Sequence, residues 1–525
     1  MATPTAVLEP PTEAGAKGLK SGALGLVSTT VIGVASTAPG YSLAASLGLV
    51  TAAVGLHAPG IMLLAFAPML FIAAAYFYLN RADPDCGTTF TWVTRAMGPN
   101  TGWLAGWGIL MTDLVVMPSL SQIAGRYTFL LFGADGVANG VLWVTVVGVI
   151  WIVVMTAICY VGIELSARTQ VALLGAEIVI LATFAVIALI KVYADNPASS
   201  VHPALSWLNP VSGSSGALAA GVLTAVFIYW GWDTAVTVNE ETDDSSRTPG
   251  IAALLSTLIL VGIYVIVSVA AQAFHGSDFL TKNSGDVLGA LGTDVFGSPF
   301  DKLLIIAVLT SASASTQTTI LPAARSALSM AVHRAAPRKF ADINPRFLTP
   351  GFATAAFGVV SIVWYVVLTL ISKNVLGDSI LALGFGICFY YALTGYACVL
   401  YYRRHLFSSA RNLLLIGIAP LLGALGLTWA FFKSVFVYSN AANSSSGTTA
   451  YFKFISFDFK IWHFHFFADG LGPPLVIGVG LLLIGIPLML LWRLGRPEFF
   501  EHKRGAAETI DGLAPPLTPG VGPVA

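Results

Sequence analysis

Charge is what this chain lacks. Of its 525 residues only 10% are Asp, Glu, Lys or Arg, against about a quarter in an average soluble domain. So few charges do not cover the surface of a soluble body of this length, which excludes a soluble enzyme, a nucleic-acid binder and a disordered scaffold. The 26 basic and 26 acidic residues cancel, so net charge implies no polyanionic partner. Cysteine is scarce as well. Cys86, Cys159, Cys388 and Cys398 lie in apolar surroundings and are too few for a disulfide framework or a zinc site. All eight histidines fall in loops or near the ends of apolar runs, which leaves no nucleophile–base or metal constellation inside a membrane. Nothing resembling G-x-x-x-x-G-K-(S/T) occurs. The expectation is a non-enzyme with no nucleotide-driven step, no metal and no cofactor.

What is abundant is apolar. Hydrophobic residues make up 56% of the chain and the mean hydropathy is +0.80. A helix crossing the hydrocarbon core needs about 20 mostly apolar residues. Twelve stretches qualify, near 22–50, 59–80, 102–131, 138–160, 170–194, 215–238, 249–273, 301–332, 351–372, 378–401, 412–438 and 472–494. Residues 1–21 and 495–525 read as tails. With both tails in the cytoplasm, eighteen Lys and Arg fall inside and eight outside, Arg126 being the single outer arginine. That asymmetry fixes the orientation, and an even number of spans agrees with it. The segment 439–470 is a long outer loop in which aromatic and polar residues alternate, as in an interfacial strand or a segment lying along the membrane surface.

Two spans are not ordinary helices. The first carries Gly33, Ser36, Thr37, Pro39 and Gly40 at mid-membrane, where proline removes a donor and glycine weakens the helix. The sixth carries Phe227, Tyr229, Trp230, Gly231, Trp232 and Asp233. Unwound backbone at that depth needs protein or a water-filled cavity to satisfy it. Interruptions at corresponding positions of two five-helix halves point to a substrate site between inverted repeats.

At these residues the chain resembles an amino acid permease of the amino acid–polyamine–organocation superfamily. Pro84-Asp85-Cys86-Gly87-Thr88-Thr89-Phe90, followed by Gly98-Pro99, Gly102-Trp103 and Gly106-Trp107, is similar to the family's loop after span two. Gly231-Trp232-Asp233 with Glu240-Glu241-Thr242 and Pro249 resembles its G-F-E … E-E-T-x-x-P segment. Arg325-Ser326, Pro337, Phe340 and Thr349-Pro350 form a third match. The chain departs from the family in having Gly33 and Pro39-Gly40 in place of G-x-G-(I/V), and Asp233 where many members have Glu.

The resemblance implies an all-α membrane protein of 12 helices with the LeuT-type 5+5 inverted repeat. Residues 22–194 would form the first repeat, 215–401 the second, and 412–494 two accessory helices. Its expected work is secondary active transport of amino acids by alternating access. Polyamine or amine transport, amino acid/amine exchange, and amino-acid sensing without translocation remain as alternatives. Small-molecule substrate and lipid are the implied partners. Span-one N–H groups would hold a carboxylate beside Ser36, Thr37, Ala38 and Gly40. Span-six carbonyls would hold an ammonium beside Phe227, Tyr229, Trp230 and Gly231. Met117 and Thr316 are the contributions of spans three and eight.

Three acids stand inside spans: Asp113, Glu177 and Asp233. A charge there is expensive and usually functional, so proton coupling through Glu177 or Asp233 is the first expectation. A hydrogen-bonded helix-to-helix strut is the alternative, and Asp113 could instead meet a cationic side chain. Some proton-coupled relatives carry a lysine at the Glu177 position; here the sign is reversed. Sodium, held by Thr310 and Ser311 in the hydroxyl-rich span eight, is the alternative coupling ion.

Overall fold

The computed structural model describes residues 17–210, 215–371, 375–444, 452–461 and 464–501. Most of both tails, 1–16 and 502–525, lies outside the described residues. Ten helical stretches among the described residues are long and apolar enough to cross a bilayer. Together they take in eleven of the twelve expected spans. The first stretch, Leu26–Ala82, is 57 residues long, about 85 Å if it were one straight helix. It is instead divided into α1 (Leu26–Ser36), α2 (Pro39–Val54) and α3 (Ala58–Ala82).

The division follows from the sequence. Ala38 adopts a left-handed conformation (φ 49°) and Pro39, with no N–H to lose, opens α2. Gly55, at φ 60°, turns the chain before α3. The sixth expected span, near 215–238, is the shortfall. Its helix α8 (Ser215–Ile228) has only 14 residues and stops at an unwound segment.

The remaining long helices are α5 (Pro99–Leu131), α6 (Val141–Val161), α7 (Ile163–Ala194), α9 (Thr248–Lys282), α11 (Leu303–Val332), α12 (Gly351–Ile371), α13 (Val375–Tyr401), α14 (Ala419–Tyr438) and α15 (Pro473–Gly495). Two shorter ones, α4 (Thr89–Met97) and α10 (Val287–Phe296), lie between them. α5 and α11 are 78% buried along their most apolar windows, whereas α6 and α15 are 22% buried. The first two therefore form the centre and the last two the rim. Rim residues such as Ile150, Val153, Val359, Val363 and Leu491 are apolar and exposed, as lipid contact requires.

The all-α expectation needs one correction. β1 (Phe452–Ile461) and β2 (Phe464–Leu471) pair antiparallel, with Phe457 opposite Ala468 and Lys460 opposite His465. Phe452, Phe454, Phe457 and Phe459 fall among polar neighbours in this segment.

Candidate functional site

The break between α1 and α2 is built from donors that already have acceptors. Thr37 N–H donates to the Val34 carbonyl (3.2 Å) and Ala38 N–H to the Ala35 carbonyl (3.1 Å). Pro39 has no N–H. Gly40 N–H donates to Glu177 Oε1 of α7 at 2.6 Å, and Tyr41 N–H donates to Ser311 Oγ of α11 at 3.1 Å. A carboxylate and a hydroxyl from two other helices thus cap the N-terminus of α2, where negative charge is favoured. On the other side of the break the Ser36 carbonyl accepts from Ser315 Oγ (2.9 Å), and the Thr37 carbonyl accepts from Ser42 Oγ (2.7 Å).

The second break follows α8 directly. Ile228 ends the helix and its carbonyl accepts from the Tyr264 hydroxyl at 2.5 Å. Gly231 has φ 115°, and a Cβ there would stand 2.7 Å from the Ser36 carbonyl oxygen. Only glycine satisfies both the dihedral and that approach. Ser36 Oγ also lies 2.9 Å from Thr234 Oγ1. The two breaks therefore touch each other through Ser36. The Phe227 ring meets Tyr41 edge-on with centroids 6.3 Å apart, and Trp230 Nε1 donates to the Tyr390 hydroxyl at 2.5 Å.

Beyond Gly231, Asp233 sits in a cage of phenols. Tyr391 donates to its Oδ1 at 2.8 Å, Tyr390 to its Oδ2 at 3.1 Å, and Tyr76 stands 3.5 Å from Oδ2. Asp113 of α5 is buried within electrostatic reach of Asp233. Asp113 Oδ2 and Glu177 Oε2 are buried with no hydrogen-bond partner.

A family profile described as "Amino acid permease" matches residues 22–457. The chain belongs to the amino acid permease family. An uncharacterised transporter of Mycobacterium tuberculosis is 28% identical over 62% of this permease and 70% of its own length. The branched-chain amino acid permease BcaP of Lactococcus lactis is 24% identical over 44% of this chain and 52% of its own. The low-affinity putrescine importer PlaP of Escherichia coli is 22% identical over 42% and 46%. The permease is a multi-pass membrane protein acting on a small molecule, and it is not an enzyme.

The structure brings Ser36, Thr37, Ala38, Gly40, Phe227, Trp230, Gly231, Asp233, Asp113, Glu177 and Ser311 of the permease to or beside the breaks. Other expected residues are spent elsewhere. Tyr229 donates to the Met62 carbonyl (3.0 Å) and packs on Tyr264, which makes it part of helix packing. The hydroxyls of Thr310 and Thr316 donate to carbonyls of their own helix. Met117 lies in a separate apolar cluster with Ile32, Ile320 and Leu321.

Sequence reasoning missed the phenols Tyr76, Tyr390 and Tyr391, the capping hydroxyl Ser315, and above all Lys17. On the face of the permease that carries the N-terminal tail, Lys17 Nζ reaches Glu240 at 2.6 Å and Asp85 at 2.8 Å. Its side chain is only 1% exposed. Cys86 N–H donates to the same Glu240 oxygen at 2.9 Å. Beside them Arg325 Nε meets Glu241 at 2.5 Å and Arg95 meets Asp83 at 2.8 Å. Burial works against the Lys17 charge, but Asp85, Cys86 and Glu240 outweigh it and hold the ammonium well above its usual value. Burial alone would raise the Asp85 carboxyl; Lys17 and His333 override it and hold it well below the carboxylate range. Asp83 is pushed up to about 6 by burial, with Arg95 opposing.

Proposed function

We propose that this permease is a secondary active transporter that carries amino acids or related amines across the cell membrane by alternating access. In this reading α8 and its unwound continuation make the sixth of twelve spans, arranged as a five-plus-five inverted repeat with two accessory helices. The tail face, rich in arginine and lysine, is cytoplasmic. The observation that carries the reading is the meeting of the two helix breaks, Gly231 against the Ser36 carbonyl. Two interrupted helices in contact at membrane depth are the construction expected of a midplane substrate site. Below it the Lys17, Arg325 and Arg95 pairs close one face. A closed face opposite a binding site is what alternating access requires. The names of the relatives BcaP and PlaP put amino acids and diamines within the range of substrates to test.

The proposed coupling ion is the proton. Glu177 holds the Gly40 N–H with one oxygen and keeps its other oxygen buried and unpartnered, which is where a transferable proton would ride. Thr310, one of the two hydroxyls considered for sodium, is engaged within its own helix.

The test is uptake by purified permease in liposomes. Twenty amino acids, putrescine, agmatine, choline and γ-aminobutyrate would be screened under an inward proton gradient, an inward sodium gradient or counter-substrate preloading. Accumulation under the proton gradient supports the reading. Sodium-dependent accumulation at constant pH sinks the coupling, and ligand-induced thermal stabilisation with no flux under any condition sinks transport itself.

A further inference from the structure

We infer that the ligand of the paired helix breaks is a cationic aliphatic amine without a carboxylate, held against Asp113 and Asp233. The inference rests on the transporter reading only in taking the breaks as the binding site, and it narrows the substrate class.

Two independent observations lead to it. The first concerns anions. A zwitterion needs N–H groups for its carboxylate, and a helix N-terminus is the natural place to find them. Here Thr37, Ala38, Gly40 and Tyr41 donate to Val34, Ala35, Glu177 and Ser311 respectively, and Pro39 has nothing to donate. Glu177 is itself a carboxylate, joined to the chain and seated 2.6 Å from the Gly40 N–H. A ligand carboxylate would have to displace the Glu177 carboxyl from that N–H and then lie beside it. The donor is already taken from within the chain.

The second concerns cations. Asp113 and Asp233 are 3% and 5% exposed and lie within electrostatic reach of each other. Among the described residues neither has a basic partner, and the buried bases Lys17 and Arg325 are committed to Asp85, Glu240 and Glu241. Tyr390 and Tyr391 orient Asp233 without neutralising it. Asp113 Oδ2 has no hydrogen-bond partner. Buried carboxylates are retained when something pairs with them. A ligand ammonium would supply that partner, and the nearby rings of Trp230, Phe227 and Tyr41 suit an ammonium on an alkyl body.

Matched pairs that differ only by the carboxylate test this directly: putrescine with ornithine, cadaverine with lysine, isoamylamine with leucine. Thermal stabilisation of the detergent-purified permease gives affinity, and liposome flux is measured separately. The amine of each pair is expected to act at least about tenfold below the concentration of its amino acid, about 1.4 kcal/mol. Asp113→Asn should weaken amine binding by about tenfold or more. Glu177→Gln, which removes the internal carboxyl but keeps an acceptor for Gly40, should narrow the gap by admitting the amino acid. Equal or tighter binding of the amino acids by the unmodified permease overturns the inference, as does the absence of stabilisation by every amine. Amine binding without flux upholds it and sinks the transporter reading. Amino-acid flux with amino-acid preference does the reverse.

Discussion

Acids occur at two depths in this permease, and they are treated in opposite ways. On the tail face Asp83, Asp85, Glu240 and Glu241 each have a basic partner within 3 Å. At the helix breaks Asp113, Glu177 and Asp233 have none among the described residues, only phenols and one backbone N–H. Both sets are buried, so the difference is not solvent. A paired acid completes a structure; an unpaired one at similar burial is incomplete until a proton or a ligand arrives. The first set fits a closure and the second a site.

The comparison breaks most sharply at Lys17. Lys17→Met leaves Asp85 and Glu240 buried and uncompensated, and unfolding in detergent should lose about 3–5 kcal/mol. Adding Asp85→Asn and Glu240→Gln should recover much of that loss. No recovery would mean the tail stabilises by packing and not by charge.

Gly231→Ala comes next. It forces a Cβ to within 2.7 Å of the Ser36 carbonyl at φ 115°, which should cost about 1–3 kcal/mol and abolish uptake more completely than it lowers the melting temperature. Retained uptake would separate the two breaks functionally.

Acid titration sharpens the contrast within the tail face itself. Asp83, with its carboxyl raised to about 6, binds a proton in the folded state before it does so unfolded near 3.9. Its contribution therefore increases as pH falls from about 7 to 4. Asp85 is depressed, so its stabilisation is present above about pH 4 and fades below. Melting temperature should peak in the mildly acidic range, and Asp83→Asn should flatten the rise towards that peak while leaving the fall below it. The smallest effect belongs to Tyr391→Phe. Loss of one donor to Asp233, which keeps Tyr390, should cost about 0.5–1.5 kcal/mol and appear mainly as a shift in half-saturation for transport. A change in maximal rate alone would place Tyr391 in closure and not in orienting the acid.

Spans and breaks were legible in the chain because each is a local property. Twenty apolar residues announce a helix wherever they pack, and Pro39-Gly40 and Gly231 interrupt one whatever surrounds them. The site was legible in part for the same reason: Ser36, Glu177 and Asp233 stand out as polar groups in apolar runs. Direction and partnership were not. Thr310, Ser311 and Thr316 look alike in sequence, yet only Ser311 turns from its own helix to a neighbour. Tyr390 and Tyr391 became part of the acid cage because α13 passes Asp233, a contact across about 160 residues that no local pattern announces. The 14 residues of α8 look like an ordinary apolar span until Gly231 meets Ser36.

Lys17 precedes the first helix and crosses nothing, yet its ammonium sits among groups from two loops that are more than 150 residues apart. It is a counter-ion on a leash. A dissolved cation would have to find that buried place from solution, whereas the tail presents its charge at a fixed high local concentration. Added salt, which weakens exposed pairs, reaches a buried one poorly. In the proposed transport cycle the few residues before the membrane take part in every opening of this face, and changing the tail changes how often it opens.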